Sequence, residues 1–97
     1  MGDVEKLRAE LRRQLPALSE RYGVVSLGLF GSYARGEQRS DSDLDVLVEL
    51  RQPLSLLRMI ALQHELSDLL DVDVDLVPKQ SLKPTLGKRI LAEVVPV

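Results

Sequence analysis

A chain of 97 residues has room for one hydrophobic core, so we expect residues 1–97 to form a single domain. Its net charge of −2 argues against broad nucleic-acid binding, which needs a basic surface, and its lack of cysteine excludes disulfides and thiolate metal sites. No apolar run approaches the roughly 18 residues of a membrane span. We therefore expect a cytoplasmic protein without a membrane partner and without direct nucleic-acid binding.

Hydrophobic periodicity predicts helices and strands in alternation along the chain. Apolar residues recur every three or four positions from Val4 to Tyr22, which predicts a first helix that is kinked or broken at Pro16 and ends at Gly23. The apolar run VVSLGLF (24–30) predicts a buried strand, and GSYARGE then turns the chain. The remaining predicted elements are strands at 43–50 and 71–77, helices at 54–70 and 83–95, and a short edge strand in the C-terminal VVPV.

Aspartates alternate with apolar residues in two of the predicted strands. Side chains of a strand alternate between its faces, so Asp43 and Asp45 share a face with Cα atoms about 7 Å apart. Such carboxylates can bind divalent cations, and hard oxygen ligands favour Mg²⁺ or Mn²⁺. By the same alternation Asp71, Asp73 and Asp75 share one face of their strand. A neighbouring strand could bring one of them beside the first pair, which would form the three-carboxylate cluster that nucleotidyl transfer uses around two metals.

Plainer interpretations remain open for these segments. Alternating aspartates are usually the solvated face of a strand, although the preceding Gly-Ser turn argues against that interpretation here. The segment DSDLD (41–45) is no calcium loop, because Val46 stands where the sharp turn needs glycine. GSYARG lacks the Lys and Ser/Thr of a P-loop. His64, the only histidine, is interpreted as structural, which gives a histidine-based nucleophilic triad little support.

The Gly-Ser turn is the candidate site for a phosphate chain. Gly31 lets the backbone approach a ligand closely, and Ser32 offers a hydroxyl and N–H groups at the start of a short helix. Arg35 lies one turn further on and adds a positive charge. We therefore expect these three residues to bind the triphosphate of a nucleotide. The alternatives are a simple helix cap for Ser32 and a surface charge for Arg35.

The stretch LFGSYARGEQRSDSDLDVLVEL (29–50) resembles the signature of the minimal nucleotidyltransferases, the smallest members of the DNA polymerase beta-like nucleotidyltransferase superfamily. That signature is an apolar residue, Gly-Ser, a spacer of about ten residues and Asp-x-Asp. The segment VDLV (74–77) is similar to the family's setting for a third carboxylate, which selects Asp75 over Asp71 and Asp73. The resemblance covers nearly the whole chain and implies an α/β (α+β) fold, a small mixed sheet of three to four strands backed by helices.

The resemblance also implies a reaction, the transfer of AMP from ATP onto a hydroxyl with release of pyrophosphate. Asp43 and Asp45 would hold Mg²⁺ or Mn²⁺, and Asp75 would complete the metal site and help to deprotonate the acceptor. No acceptor-binding domain is evident, so the implied acceptor is a partner, a small all-helical toxin of the HEPN class modified on a tyrosine. Two alternatives stay open: an antitoxin that neutralises its partner by contact alone, and transfer to a small molecule or RNA.

The predicted helix at 54–70 is unusually apolar. Polar Arg58, Glu65 and Asp68 cluster on one side, and leucine, isoleucine and methionine cover most of the rest. This arc is wider than the roughly 100° that one core contact needs. We expect a second buried surface there, formed by a partner or by self-association, although packing on both sides within the domain is the alternative.

Overall fold

The computed structural model describes residues 3–97, in which a four-stranded sheet is backed by helices on both faces. The strand order is β3-β2-β1-β4; β1 runs antiparallel to both β2 and β4, whereas β2 and β3 are parallel. The predicted mixed α/β class is therefore confirmed. The elements in chain order are α1 (Asp3–Tyr22), β1 (Val24–Phe30), α2 (Ser32–Arg35), β2 (Leu44–Leu50), α3 (Leu56–Leu70), β3 (Val74–Pro78), a single 3-10 turn (Lys79–Ser81), α4 (Pro84–Glu93) and β4 (Val95–Pro96).

The two faces of β2 enter different parts of the core. Its even-numbered residues, with Leu44 and Val46 fully buried, pack against α1 and α3 in the larger cluster. Leu47 faces the other way and joins Phe30 and Ile90 of α4 in a smaller cluster. Because side chains alternate along a strand, Asp45 shares the face of Leu47. The carboxylate therefore lies on the α4 side of the sheet, away from the larger core.

Helix α1 was predicted to be kinked or broken at Pro16, and the break is wrong. The helix runs through Pro16 without interruption. Its end before Gly23 agrees with the prediction. Leu11 and Leu18, on either side of the proline, are both fully buried against the sheet. Packing of this apolar stripe outweighs the one backbone hydrogen bond that an exposed proline removes.

Two helix boundaries differ from the predicted ones. Helix α3 begins later than predicted, since Ser55 is its N-cap and accepts a hydrogen bond from the Arg58 N–H at 3.2 Å. Helix α4 ends at Glu93 rather than at residue 95, because the chain extends ahead of Pro96 to form the predicted edge strand.

The wide apolar arc of α3 is divided between the core and the surface. Leu62 and Leu66 are fully buried, whereas Leu56 and Leu57 are 76% and 79% exposed and Ile60 is also exposed. The polar side that includes Glu65 contacts the end of α1, where Glu65 accepts a hydrogen bond from the Tyr22 hydroxyl at 3.1 Å. Within residues 3–97, no helix combines the length and apolar character needed to cross a membrane.

Candidate functional site

The parallel pairing of β2 with β3 brings two of the predicted site residues together. In the register of these strands Asp45 lies directly opposite Asp75. Neighbouring strands are about 4.8 Å apart and paired residues share a face, so the two carboxylates start side by side. Asp75 is exposed and Asp45 is half-buried. The sequence-based choice of Asp75 as the partner of the first pair agrees with this register.

Asp43 lies just outside the strand that was predicted to hold it. Strand β2 begins at Leu44, whose N–H donates to the Asp73 carbonyl at 2.8 Å, and Asp43 is exposed on the preceding segment. It is nevertheless close enough for its charge to act on Asp45. The three carboxylates named from the sequence therefore lie at one edge of the β2–β3 ladder.

The other two aspartates of the 71–75 segment are placed differently from the prediction. Strand β3 begins at Val74, so residues 71–73 are not part of it. Asp71 ends α3 in the left-handed conformation, with φ 53°, and its N–H donates to the Ser67 carbonyl. The helix cap takes this residue because an αL position at a helix end suits aspartate better than most side chains.

The electrostatics of the site concentrate on Asp45. Burial raises the pKa of its carboxyl, and the neighbouring charges of Asp75 and Asp43 raise the pKa further. The guanidinium of Arg35 lowers the pKa, and Glu93 raises it. A half-buried carboxylate surrounded by other carboxylates is a place where bound cations would relieve repulsion.

Gly31 is in contact with this carboxylate. It lies between β1 and α2 with φ 75° and ψ −152°, a backbone conformation that is almost restricted to glycine. A Cβ atom on this residue would lie 2.0 Å from Oδ2 of Asp45, so no other side chain fits without moving the carboxylate. Gly31 is thus required by Asp45 itself, a reason that the sequence analysis did not foresee.

Ser32 is the first residue of α2 and is not its N-cap, since Gly31 takes the cap position. The alternative of Ser32 as a simple helix cap is therefore wrong. Ser32 is half-buried, and none of the side-chain hydrogen bonds seen in the described part of the chain uses its hydroxyl. Helix α2 closes at Gly36, whose N–H donates to the Tyr33 carbonyl at 3.2 Å.

Arg35 is not an isolated surface charge. Its Nη1 lies 3.4 Å from Oε2 of Glu93, and its Nε lies 3.5 Å from Oε2 of Glu37. Oε1 of Glu93 also accepts a hydrogen bond from the Gly31 N–H at 3.1 Å. Sequence reasoning did not single out Glu93, because it stands at the end of a distant helix, outside the 29–50 signature and the VDLV segment.

The donor set fits a hard divalent cation bound together with a nucleotide. Across residues 3–97, no three acidic or histidine side chains are close enough to hold an ion by themselves. Mg²⁺ is commonly bound through one or two carboxylates plus substrate phosphates, with water completing the shell. Asp45, Asp43 and Asp75 offer oxygen ligands of this kind, and nucleotide oxygens would supply the rest.

His64 was interpreted from the sequence as a structural residue. It is exposed on α3 and lines a concavity of about 430 Å³ together with Asp43 and Asp73. A second concavity of about 490 Å³ lies between residues 40–42 and the end of α3. Four aspartates line the second concavity, so its electrostatics would repel a polyphosphate that carried no cations.

Comparison with known proteins finds matches along most of the chain. A family model for the nucleotidyltransferase domain matches residues 11–97. The protein adenylyltransferase MntA of Thermococcus cleftensis is 46% identical over 95 residues, which cover 98% of this chain and 96% of that relative.

Solved structures are also similar to this chain in sequence and fold. A structure solved as a candidate minimal nucleotidyltransferase is 42% identical, with a TM-score of 0.80, and the match covers 100% of this chain and 97% of that one. A toxin-antitoxin structure with AMP-PNP is 30% identical, with a TM-score of 0.70, over 97% of this chain and 68% of that one. The chain therefore belongs to the minimal nucleotidyltransferases of the nucleotidyltransferase domain family.

Proposed function

We propose that this protein transfers AMP from ATP onto a hydroxyl of a toxin partner, and that it acts as the antitoxin by this modification. The observation that supports the chemistry best is the register of Asp45 with Asp75, beside a Gly31 turn packed on the same carboxylate. The relative that is 46% identical is a protein adenylyltransferase, and the toxin-antitoxin structure that is 30% identical contains AMP-PNP. The resemblance of the 29–50 segment favours a helical HEPN-class partner and a tyrosine as the acceptor.

The carboxylates would have two tasks. Asp43, Asp45 and Asp75 would hold Mg²⁺ or Mn²⁺, which when bound neutralises charge on the triphosphate and on the departing pyrophosphate. Asp75, which is more exposed than its strand partner Asp45, would also accept the proton of the acceptor hydroxyl. The hydroxyl oxygen forms a bond to the α-phosphorus, and the bond from that phosphorus to the bridging oxygen breaks to release pyrophosphate.

The turn at Gly31 would hold the phosphate chain through Ser32 and Arg35. The Ser32 hydroxyl lacks a protein partner within residues 3–97 and is therefore free to donate to a phosphate oxygen. Arg35 uses only part of its five N–H donors on Glu93 and Glu37, which leaves others for an anion.

Replacing Ser32 with alanine tests this assignment. We expect S32A to keep its unfolding temperature and to bind Mg²⁺-ATP more weakly by about 1.5–3 kcal/mol, the worth of one hydrogen bond to a charged group. Calorimetric titration and thermal unfolding measure the two quantities. If S32A lost stability while its affinity for ATP stayed the same, the hydroxyl would be structural.

The partner must bring the acceptor hydroxyl to this edge of the sheet. The exposed leucines at the start of α3 are the apolar surface that a helical partner would cover, and self-association is the other use of this surface. Both remain proposals that the measured oligomeric state of the free and the co-purified protein can separate.

Co-expression with a toxin partner tests the function as a whole. We expect the partner to co-purify with an intact mass raised by whole AMP groups, and pyrophosphate release to require Mg²⁺ or Mn²⁺. A partner that was bound and inhibited while its mass was unchanged would contradict the enzymatic account. It would instead support an antitoxin that acts by contact alone.

A further inference from the structure

Glu93 contacts two groups of the nucleotide turn, yet no step proposed above uses it. Its Oε1 accepts the hydrogen bond from the Gly31 N–H at 3.1 Å, and its Oε2 lies 3.4 Å from Nη1 of Arg35. The Glu93 side chain is 34% exposed, and its contact with the Gly31 N–H is partly buried. One carboxylate therefore joins the end of α4 to the backbone and to the cation of the turn.

The sheet itself delivers Glu93 to this position. Val95 pairs with Leu29 in the antiparallel ladder of β4 and β1, and Leu29 precedes Gly31 by only two residues. Val94 packs so closely on β1 that a Cβ atom on Gly28 would lie 2.5 Å from its Cγ2. The backbone on the C-terminal side of Glu93 is therefore held by both pairing and packing, which limits where its carboxylate can reach.

Gly31 needs such support because a glycine backbone can adopt many conformations. Glycine reaches φ 75° and ψ −152° without a Cβ clash, so the surroundings must select this conformation from the others. Oδ2 of Asp45 closes one side of Gly31, at 2.0 Å from the position of a Cβ atom, and Glu93 binds its N–H. Gly31 is thus fixed between two carboxylates that come from different elements.

We propose that Glu93 is a positioning residue. It fixes the Gly31 backbone, so that the adjacent Ser32 faces the nucleotide, and it orients Arg35. The proposal rests on the nucleotide-binding role proposed for this turn. It makes the C-terminal segment of α4 and β4 part of the active site, although that segment contains no residue of the motif. The hydrogen bond to Gly31 is the essential contact, and the negative charge of Glu93 is secondary.

Two substitutions separate the hydrogen bond from the charge. Glu93→Gln keeps an oxygen that can accept from the Gly31 N–H, whereas Glu93→Ala removes it. We expect E93A to bind Mg²⁺-AMP-PNP roughly tenfold more weakly, the scale of one hydrogen bond, and E93Q to stay close to wild type. Hydrogen exchange of the Gly31 amide should be slow in wild type and E93Q and fast in E93A.

Two matched controls complete the experiment. Glu37→Ala removes the other partner of Arg35 without touching Gly31, and should change AMP-PNP affinity less than E93A does. Glu10→Ala removes a glutamate–arginine pair on α1, where Oε2 of Glu10 lies 3.0 Å from Arg13, and should leave affinity unchanged.

Three results would overturn the positioning role. The first is a Gly31 amide that exchanges rapidly in folded wild-type protein, which tests the contact even if a variant fails to fold. The second is tighter AMP-PNP binding by E93A, which would mean that Glu93 competes with phosphate. The third is equal weakening in E93Q and E93A, which would make the charge essential. Because AMP-PNP binding requires no transfer, a failure of the proposed adenylyl transfer would show separately, in the mass of the partner.

Discussion

The two aspartate-rich segments of this chain have similar sequences and different structures. In residues 43–45, Asp45 is inside β2 and Asp43 immediately precedes it. In residues 71–75, only Asp75 is inside a strand, while Asp71 caps α3 in the left-handed conformation. The same alternation of aspartate and apolar residues thus puts both aspartates of the first segment at the candidate site. In the second segment it puts Asp75 at the site and Asp71 at a helix terminus.

We propose that strand register, and not the alternation alone, selects the site residue of the 71–75 segment. Asp45 and Asp75 are direct partners across the parallel ladder, whereas the Asp73 carbonyl accepts the hydrogen bond that opens that ladder. Asp71 is separated from the ladder by the helix terminus. In the 71–75 segment a substitution should therefore be severe at Asp75 and mild at Asp73 and Asp71.

The largest effect is expected from Asp45→Asn. This change removes the most buried of the three carboxylates, and adenylyl transfer should fall by at least roughly 10²-fold, as when one electrostatic catalytic group is lost. The matched control is Asp41→Asn, an exposed aspartate of the preceding loop, which should retain most activity. Pyrophosphate release with a partner present measures both. Equal losses in the two variants would indicate a diffuse acidic surface instead of a defined site.

The next effect concerns the glycine that packs on Asp45. Gly31→Ala should lower the free energy of unfolding by about 1–3 kcal/mol through backbone strain, and the clash with Asp45 should abolish AMP-PNP binding. Gly36→Ala is the control, because Gly36 also has a positive φ, 71°, but no atom lies within 4 Å of its Cβ position. It should cost about 1 kcal/mol and keep binding. Equal loss of binding in both variants would refute the role of the clash.

Much of this comparison could be predicted from the sequence. The alternation of Asp43 and Asp45 with apolar residues, together with the Gly-Ser turn, predicted a carboxylate site beside the turn. The resemblance of VDLV to the family's setting for a third carboxylate selected Asp75. The end of α3 at Leu70 agrees with the predicted helix, but its cap was harder to predict. DVDVD alternates like a strand throughout, and nothing local shows that Asp71 caps the helix instead of starting the strand.

Long-range contacts account for the rest of what was missed. The edge strand β4 was predicted, but its pairing with β1, which brings Glu93 close to the turn, leaves no signal in the local sequence. The two carboxylates around Gly31 are likewise a product of packing, since they come from β2 and α4. Cytoplasmic location, self-association and a single domain over residues 1–97 stay predictions.

The smallest effect is expected at the helix cap. Asp71→Gly should raise the free energy of unfolding by at most about 1 kcal/mol, since glycine adopts the left-handed conformation without the Cβ penalty. Urea denaturation measures this change, and adenylyl transfer should be unaffected. A clear loss of transfer in this variant would place Asp71 in the site and would remove the distinction between the two halves of the segment.

The most direct test of the register argument compares Asp75→Asn with Asp73→Asn, each co-expressed with the toxin partner. The two residues are neighbours on the same segment, and each change replaces a carboxylate with an amide of nearly the same size. The account predicts that the partner co-purifies with both variants and carries AMP groups, seen by intact mass, only with wild type and Asp73→Asn. An AMP-modified partner with Asp75→Asn, or an unmodified one with Asp73→Asn alone, would contradict it.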